Sequence, residues 1–254
     1  MRFSHVFLTR PRSESRDLAT MLLPLGLQLV IQPAFDFASL DIAAGQPDLL
    51  ADLEAGVQPP LLIFTSPRAV SFGLGQLPVG LTGNCKVAAI GPATARALEA
   101  AGVTVTVRPA SGYTSEDLLK TLEEDSTGFI SPGRSALILA APGGRKKLLE
   151  GLAARDWAAQ MLMVYERKNA AINKLELDKL QQAERVMAVW TSANAMKSLS
   201  QRLPPAAWFR LCQGEWLVIS NRLKRLARAY GPSKIHLSPG PGNSDLFTAI
   251  RGLI

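Results

Sequence analysis

The 254-residue chain is long enough for two domains of ordinary size, and its 47% hydrophobic and 19% charged residues are typical of a globular protein. No apolar run reaches the length that spans a bilayer, and the chain opens into a predicted strand rather than a signal sequence. The net charge of +7 at pH 7 favours an anionic partner, such as nucleic acid, an acidic membrane surface or a polycarboxylate.

Short apolar strands alternate with amphipathic helices along the chain. The first strand is predicted at 6–8, followed by a helix that Ser13 caps and Gly26 ends. The other predicted strands are 29–31, 61–64, 87–90, 103–107, 136–140, 161–165, 186–190, 217–219 and 235–237. Continuous apolar strands separated by helices are typical of parallel sheets covered on both faces, so the sequence predicts a doubly wound α/β fold.

The chain carries an internal repeat with a nearly constant offset. Thr65-Ser66 returns as Thr191-Ser192 (192 − 66 = 126), and Asp117 of Ser-Glu-Asp-Leu-Leu returns as Asp245 of Asn-Ser-Asp-Leu-Phe (245 − 117 = 128). Two related copies predict two similar α/β lobes, and a cleft between such lobes is where ligands bind.

The copies are interleaved rather than consecutive. Leu8-Thr9-Arg10-Pro11 matches Leu139-Ala140-Ala141-Pro142 (139 − 8 = 131), so each lobe is expected to collect strands from both copies. The sequence therefore predicts one lobe from 1–34 with 170–254, a second lobe from 38–165, and extended crossover segments at 35–37 and 166–169.

Several kinds of chemistry are disfavoured by the residue inventory. His5 and His236 are the chain's two histidines, and both lie in or beside predicted strands, which disfavours a histidine-based metal site or a Ser-His-Asp triad. The glycine turns Gly143-Gly144 and Gly240-Pro241-Gly242 match neither the dinucleotide fingerprint nor the Walker pattern. No metal and no nucleotide cofactor is predicted.

Cysteine usage indicates the compartment. Cys85 and Cys212 form neither a CxxC pair nor a disulfide framework, so we expect small buried side chains in a protein of the reducing cytosol. The basic run Arg145-Lys146-Lys147 falls at a predicted helix start, where a solvated helix face is the ordinary interpretation.

What remains is a set of strand-to-helix turns that are rich in Thr, Ser, Gly and Pro. They are Thr65-Ser66-Pro67, Ile90-Gly91-Pro92-Ala93-Thr94, Pro142-Gly143-Gly144-Arg145, Thr191-Ser192-Ala193-Asn194 and Ser220-Asn221-Arg222. Such turns direct backbone N–H groups and hydroxyls beyond the sheet, with helix N-termini behind them, which suits carboxylates or phosphates. Plain helix capping is the alternative for any one turn taken alone.

Four stretches, taken together in their order and spacing, resemble the uroporphyrinogen-III synthase family. They are Leu62 to Val70, Ala89 to Leu98, Ala141 to Arg145 and Val164 to Arg167. The resemblance extends from Leu8 to Gly240, nearly the whole chain. It implies two α/β lobes joined by two extended crossover segments, with the active site in the cleft between them.

The resemblance implies a lyase reaction of tetrapyrrole, haem-type biosynthesis that needs no cofactor. Hydroxymethylbilane, a linear tetrapyrrole with eight carboxylates, loses its hydroxyl as water, and the azafulvene attacks ring D to give a spiro intermediate. That intermediate fragments and recloses with ring D inverted. The implied partner is this small polycarboxylate, with a transient contact to the preceding pathway enzyme as a further expectation, and neither nucleic acid nor a membrane.

The resemblance also assigns residues. Tyr165 matches the family's tyrosine at the second crossover and is expected to donate a proton or hydrogen bond to the departing hydroxyl; an aromatic that bridges the lobes is the alternative. The expected substrate-binding residues are Arg10, Ser66, Arg68, Gly91, Thr94, Gly144, Arg145, Thr191, Ser192, Asn194, Ser220 and Arg222. In the second copy Ser220-Asn221 replaces Gly-Pro, and Arg222 stands where the first copy has Ala93.

Two other classes of protein remain open at this point. One is a non-catalytic two-lobed binding or sensor protein for an anionic small molecule. The other is a nucleic-acid binder attracted by the charge of +7, although no helix-turn-helix, zinc module or basic strand interleaved with aromatics supports it.

Overall fold

The structure is a computed structural model that describes residues 2–55, 61–124, 134–144 and 146–254. The chain divides into two compact units. We call Met1–Phe37 with Lys168–Ile254 the terminal unit, and Ala38–Arg167 the central unit. For comparison, the sequence predicts 1–34 with 170–254 and 38–165. Every helix among the described residues is too short or too polar to cross a membrane.

The strands and helices of the described residues are numbered in chain order. The strands are β1 (His5–Leu8), β2 (Gln28–Ile31), β3 (Phe35–Ser39), β4 (Leu61–Phe64), β5 (Lys86–Ala89), β6 (Ser135–Ala140), β7 (Ala158–Met163), β8 (Tyr165–Asn169), β9 (Val186–Trp190), β10 (Glu215–Val218) and β11 (Lys234–Leu237). The helices are α1 (Arg12–Leu22), α2 (Ile42–Gly45), α3 (Pro47–Glu54), α4 (Pro67–Gly73), α5 (Leu81–Asn84), α6 (Pro92–Ala100), α7 (Ser115–Glu124), α8 (Lys146–Ala153), α9 (Lys174–Gln182), α10 (Ala193–Arg202), α11 (Pro205–Gln213), α12 (Asn221–Arg228) and α13 (Asn243–Arg251).

The terminal unit is built on a parallel sheet of order β11-β10-β9-β1-β2. Successive side chains of a strand point to opposite faces, so Phe7 packs with Trp190 and Trp216 on one face while Val6 and Leu8 pack on the other. Both faces are covered by helices. This is why the strands are continuous apolar runs rather than alternating ones.

The central unit repeats the same plan with the parallel order β5-β4-β6-β7. The sequence repeat pairs β4 with β9, β5 with β10 and β6 with β1, and these strands hold equivalent places in the two sheets. The prediction of an α/β protein with two parallel-sheet lobes joined by two extended segments is confirmed.

The predicted strand at 103–107 is wrong, because only Val107 makes a bridge, to Ala88, in the place that β11 holds in the terminal unit. The Thr106 hydroxyl accepts a hydrogen bond from the Val87 N–H at 2.8 Å and lies 3.1 Å from the Val87 carbonyl oxygen, to which it donates. A side chain that takes over backbone partners in this way replaces part of a strand ladder.

The two segments that join the units form their own two-stranded sheet of β3 and β8. The Ala170 N–H donates to the Ala34 oxygen and the Leu40 N–H donates to the Val164 oxygen. The residue numbers have a constant sum (34 + 170 = 204 and 40 + 164 = 204), so the strands are antiparallel. The sequence predicts a single strand at 161–165, and this is wrong. The segment belongs to two strands, because β7 ends at Met163 and β8 begins at Tyr165.

The structure also corrects the predicted start of the first helix. α1 begins at Arg12, directly after Pro11, so Ser13 lies inside the first turn and caps nothing. Proline fixes its own φ and lacks an N–H, which makes it suited to a helix start. α1 ends at Leu22, and a 3-10 turn over Leu23–Leu25 continues to Gly26, so the predicted stop holds for the helical segment as a whole. The φ of 72° at Gly26 is the left-handed conformation that glycine adopts without strain.

Candidate active site

Both sheets have turns of similar chemistry at their carboxyl-terminal edge. In the central unit β4 and β5 lead directly into α4 and α6, and in the terminal unit β9 and β10 lead into α10 and α12. Because the strands of each sheet are parallel, these turns lie at one edge of each sheet, with helix N-termini behind them. Each edge therefore offers backbone N–H groups and a favourable dipole to an anion.

Tyr165 and Ser66 are brought together by the fold of the central unit. Their hydroxyl oxygens are 3.1 Å apart, although 99 residues separate them in the chain. Tyr165 begins β8 and is 9% exposed, while Ser66 follows β4. The Tyr165 ring stacks on Phe72 of α4, with ring centroids 5.7 Å apart and planes inclined by 21°. The phenol is thus held by a ring contact and by a hydrogen bond at its oxygen.

Ser66 links this phenol to a helix start. It is the N-cap of α4, and its Oγ accepts a hydrogen bond from the Ala69 N–H at 3.1 Å. The Ser66 Oγ keeps a second lone pair and its own proton, so either hydroxyl can donate in the hydrogen bond between Ser66 and Tyr165.

We expect Ser66→Ala to lower kcat by about tenfold, corresponding to about 1.4 kcal/mol of transition-state stabilisation, because Tyr165 loses the partner that positions its hydroxyl. The free energy of unfolding should fall by about 1 kcal/mol, because α4 loses its cap. Steady-state kinetics and urea unfolding measure the two effects.

Asn173→Ala is the matched control, because it removes a comparable cap from α9, where Oδ1 accepts from the Leu175 N–H at 3.0 Å. It should reduce stability similarly and leave kcat unchanged. In a Tyr165→Phe background, Ser66→Ala should have little further effect on kcat, because the partner hydroxyl is already gone. Additive losses in the double variant would contradict the coupling of Ser66 to Tyr165.

The other predicted residues of the central unit have different exposures. Arg68 is half-buried on α4, Gly91 precedes α6, and Thr94 is only 3% exposed, so its hydroxyl has little access to a ligand. The Gly144 N–H is engaged by the Ala141 oxygen in a turn. Arg145 lies outside the described residues.

Arg10, in the terminal unit, is held by its neighbours. Its Nε donates to Glu14 at 2.9 Å, and its Nη1 donates to Asn243 Oδ1 at 2.7 Å and to the Pro241 oxygen at 3.2 Å. Its Nη2 lies 2.7 Å from Glu14. These contacts join the turn after β1 to the start of α13, so Arg10 organises the carboxyl-terminal edge of this sheet.

The predicted residues after β9 are half-buried or exposed. Thr191 and Ser192 are half-buried, and Asn194 is exposed. Ser192 is the N-cap residue of α10 but makes no side-chain capping hydrogen bond, unlike Ser66. Its hydroxyl is therefore not committed to the helix that it precedes.

The predicted residues after β10 differ from those after β9. Ser220 caps α12 by accepting a hydrogen bond from the Leu223 N–H at 3.3 Å. Arg222 is exposed in the first turn of the same helix. A cation in that position opposes the helix dipole by about 0.3–1 kcal/mol, which indicates a role other than helix stability.

Sequence reasoning missed a polar network where the linker strands leave the terminal unit. The Gln32 side chain is fully buried; its Nε2 donates to the Pro33 and Ala171 oxygens, and its Oε1 accepts from the Asn173 N–H. Arg202 of α10 donates to the Ala34 and Ala170 oxygens. A long polar side chain between Ile31 and Pro33, at the end of an apolar strand, was the available signal.

Sequence reasoning also missed Tyr113. It is 64% exposed, and its Cβ would lie 3.8 Å from a Cβ added at Gly91. It therefore adds an exposed ring beside the turn that begins α6.

The cysteines show no activation. Both are free and half-buried, and burial raises the pKa of the Cys85 and Cys212 thiols, which disfavours the reactive thiolate. In the part of the chain that the structure describes, no three His, Cys, Asp or Glu side chains gather as a metal site would require.

Comparisons with known proteins agree on one family. The family model for uroporphyrinogen-III synthase HemD matches residues 16–248. The uroporphyrinogen-III synthase of Escherichia coli (strain K12) is 30% identical over 97% of this chain and 99% of its own length. The one of Salmonella typhimurium is 29% identical over the same shares.

Solved structures share the fold. Uroporphyrinogen-III synthetase from Helicobacter pylori 26695 covers 100% of both chains at 16% identity, with a TM-score of 0.59. A mutant uroporphyrinogen III synthase from the extremely thermophilic bacterium Thermus thermophilus covers 98% of both chains at 18% identity, with a TM-score of 0.54. The family model spans most of the chain and the relatives match from end to end. The chain therefore belongs to the uroporphyrinogen-III synthase family.

Proposed function

We propose that this chain cyclises hydroxymethylbilane to uroporphyrinogen III, with loss of water and inversion of ring D. The observation that carries the proposal is the match to curated uroporphyrinogen-III synthases over 97% of the chain. The carboxyl-terminal sheet edges, with their hydroxyls, N–H groups and helix N-termini, have the chemistry that an eight-carboxylate substrate requires.

Tyr165 is the proposed proton or hydrogen-bond donor to the departing hydroxyl. A phenolic O–H is both donor and acceptor, so the Ser66 hydroxyl can donate to the Tyr165 oxygen while Tyr165 donates to the substrate. As the C–O bond of the substrate breaks, this donor stabilises the leaving oxygen, which departs as water. One positioned acid of this kind contributes about 10²–10⁴-fold to the rate.

Control of geometry is the larger part of the proposed mechanism. Uncatalysed closure gives the uninverted isomer, so the chain must hold ring D for attack at its substituted carbon. Holding reacting groups in a near-attack arrangement contributes about 7–11 kcal/mol in favourable cases, more than one acid supplies. We assign this task to the carboxylate-binding turns, above all Thr191, Ser192, Asn194 and Gly91.

Arg222 is proposed to bind a substrate carboxylate in place of the Gly-Pro turn of the first copy. We expect Arg222→Gln to raise KM about 3- to 10-fold with little change in kcat, because it removes uniform binding. The variant should be slightly more stable, because the cation opposes the dipole of α12. KM of the native chain should rise with salt, and the rise should be smaller in the variant.

Arg228→Gln is the charge-matched control, since Arg228 lies in the last turn of the same helix. It should leave KM unchanged and reduce stability slightly. An equal rise of KM in both variants would show a general effect of net charge rather than a contact at Arg222.

The activity itself is tested by supplying hydroxymethylbilane and separating the product isomers by chromatography. An excess of isomer III over isomer I, formed faster than in buffer, is the expected result. Isomer I alone, at the rate of spontaneous closure, would support the alternative of a non-catalytic binding or sensor protein.

The reducing cytosol remains the proposed compartment, supported by two free cysteines with no disulfide between them. Hydroxymethylbilane is the proposed small-molecule partner. A transient contact with the enzyme that supplies it is a further proposal, testable by cross-linking during coupled turnover.

A further inference from the structure

A charged pocket lies at the amino-terminal edge of the terminal-unit sheet, where β9 and β10 begin. Arg2, Arg185, Arg210, Glu184 and Glu215 are among its lining residues. The strands of this sheet are parallel, so their amino-terminal ends lie a full strand length from the turns after β9 and β10. The pocket is therefore separate from the proposed substrate-binding residues of the terminal unit.

One of the two carboxylates in this pocket is already engaged. Glu215 accepts from Arg2 Nη2 at 2.8 Å and lies 2.5 Å from His236 Nε2. Burial opposes its ionisation, but the hydrogen bonds from His236 and Arg2 outweigh burial and lower the pKa of Glu215. Glu215 is thus an anion at neutral pH, and the Arg2 guanidinium matches its charge.

Two guanidinium groups remain without such a partner. Among the described residues, neither Arg185 nor Arg210 makes a side-chain hydrogen bond or ion pair, and the Arg210 Nε is buried with no acceptor. A buried donor left unsatisfied destabilises a protein by about 1–3 kcal/mol, and such donors are rare.

We propose that this pocket binds a small oxyanion, a phosphate or a carboxylate, between Arg185 and Arg210. Guanidinium groups present paired N–H donors that match the oxygens of both anions, and such charge-assisted hydrogen bonds are stronger than neutral ones. The bound anion would give these two guanidinium groups a counter-charge.

The NMR signals of the histidine side chains can be used to monitor binding at this pocket. His5 and His236 are the chain's two histidines. His5 lies close enough to Arg210 for the guanidinium to act on it, and His236 contacts Glu215. Burial and, second to it, the charge of Arg210 lower the pKa of His5. An anion that binds Arg210 compensates that charge, so it should raise the pKa of His5 towards the ordinary value.

The test is an NMR titration of the two imidazole side chains in chloride and in inorganic phosphate at equal ionic strength, with malonate as the carboxylate arm. We expect phosphate, malonate or both to raise the pKa of His5 in a saturable manner. Comparison of the phosphate titration with the malonate titration shows which oxyanion the pocket prefers. Arg210→Gln should raise the pKa of His5 in chloride and weaken the anion's effect about tenfold or more. Arg185→Gln, a change at an exposed side chain, should weaken binding without that first effect.

Arg228→Gln is again the control, because it removes a last-turn cation from α12 as Arg210→Gln removes one from α11, and Arg228 is not among the residues that line the pocket. It should leave the affinity for the anion unchanged. The proposal is overturned if neither anion moves the His5 titration, or if the effect survives unchanged in both Arg210→Gln and Arg185→Gln. Phosphate bound at the carboxyl-terminal edge would lie a strand length from His5, the first residue of β1, so the His5 result does not depend on the proposed reaction.

Discussion

Tyr165→Phe is expected to lower kcat about 10²–10⁴-fold, the range for one positioned acid, while the fold and the product isomer are kept. Phenylalanine retains the ring that stacks on Phe72 and removes only the hydroxyl that lies 3.1 Å from Ser66. The isomer should be preserved because geometry is assigned to the carboxylate contacts. Single-turnover kinetics with isomer analysis measures both quantities.

Tyr230→Phe is the matched control, the same chemical change in the terminal unit, where Tyr230 packs against Trp208 and Trp216. It should leave kcat and the isomer ratio unchanged. Nearly full turnover of Tyr165→Phe would reduce Tyr165 to a packing residue, and conformational control would then have to supply the catalysis. A shift of product towards isomer I would instead assign control of ring D to the phenol.

The sheets were predictable because their strands are buried on both faces. β9 is buried at every residue, and the sequence shows this directly as a continuous apolar run. The segment 103–107 alternates valine and threonine and forms only a bridge, in which the Thr106 hydroxyl rather than a backbone carbonyl accepts from the Val87 N–H. A hydrogen bond between residues 19 apart has no signature in hydrophobic periodicity.

The candidate site was predictable as a set of residues but not as a set of contacts. Ser66 and Tyr165 were both singled out, one as a carboxylate ligand and the other as an acid. The structure makes them partners, and Ser66 a helix cap as well. The sequence motifs show at which strand end a side chain lies. Whether that side chain caps a helix or binds a ligand depends on distances that only the tertiary structure provides.

Gln32 was missed because a single buried amide leaves no pattern in a sequence. Its Nε2 donates to the Pro33 oxygen at 3.0 Å and to the Ala171 oxygen at 3.1 Å, and its Oε1 accepts from the Asn173 N–H at 2.7 Å. One side chain thus satisfies three backbone groups beside the two linker strands. Buried backbone groups of this kind are nearly always paired, which explains a polar residue at 0% exposure.

Gln32→Leu is expected to lower the free energy of unfolding by about 3 kcal/mol, although leucine is apolar and of similar size. The loss arises because three backbone groups lose their partners, each worth about 1–3 kcal/mol when left buried, while partial entry of water and the added apolar contact offset some of it. Urea unfolding followed by tryptophan fluorescence measures the change, since three of the four tryptophans, Trp190, Trp208 and Trp216, lie in the terminal unit with Gln32.

Gln28→Leu is the control, the same substitution at an exposed position of β2. It should change stability by no more than about 0.5 kcal/mol, as surface substitutions usually do. If Gln32→Leu were as mild as Gln28→Leu, the Pro33 and Ala171 oxygens would have found water, and the amide would not be a structural requirement. A large loss confined to Gln32→Leu would instead show that the start of the linkers is held by buried hydrogen bonds, where apolar packing cannot replace the lost partners.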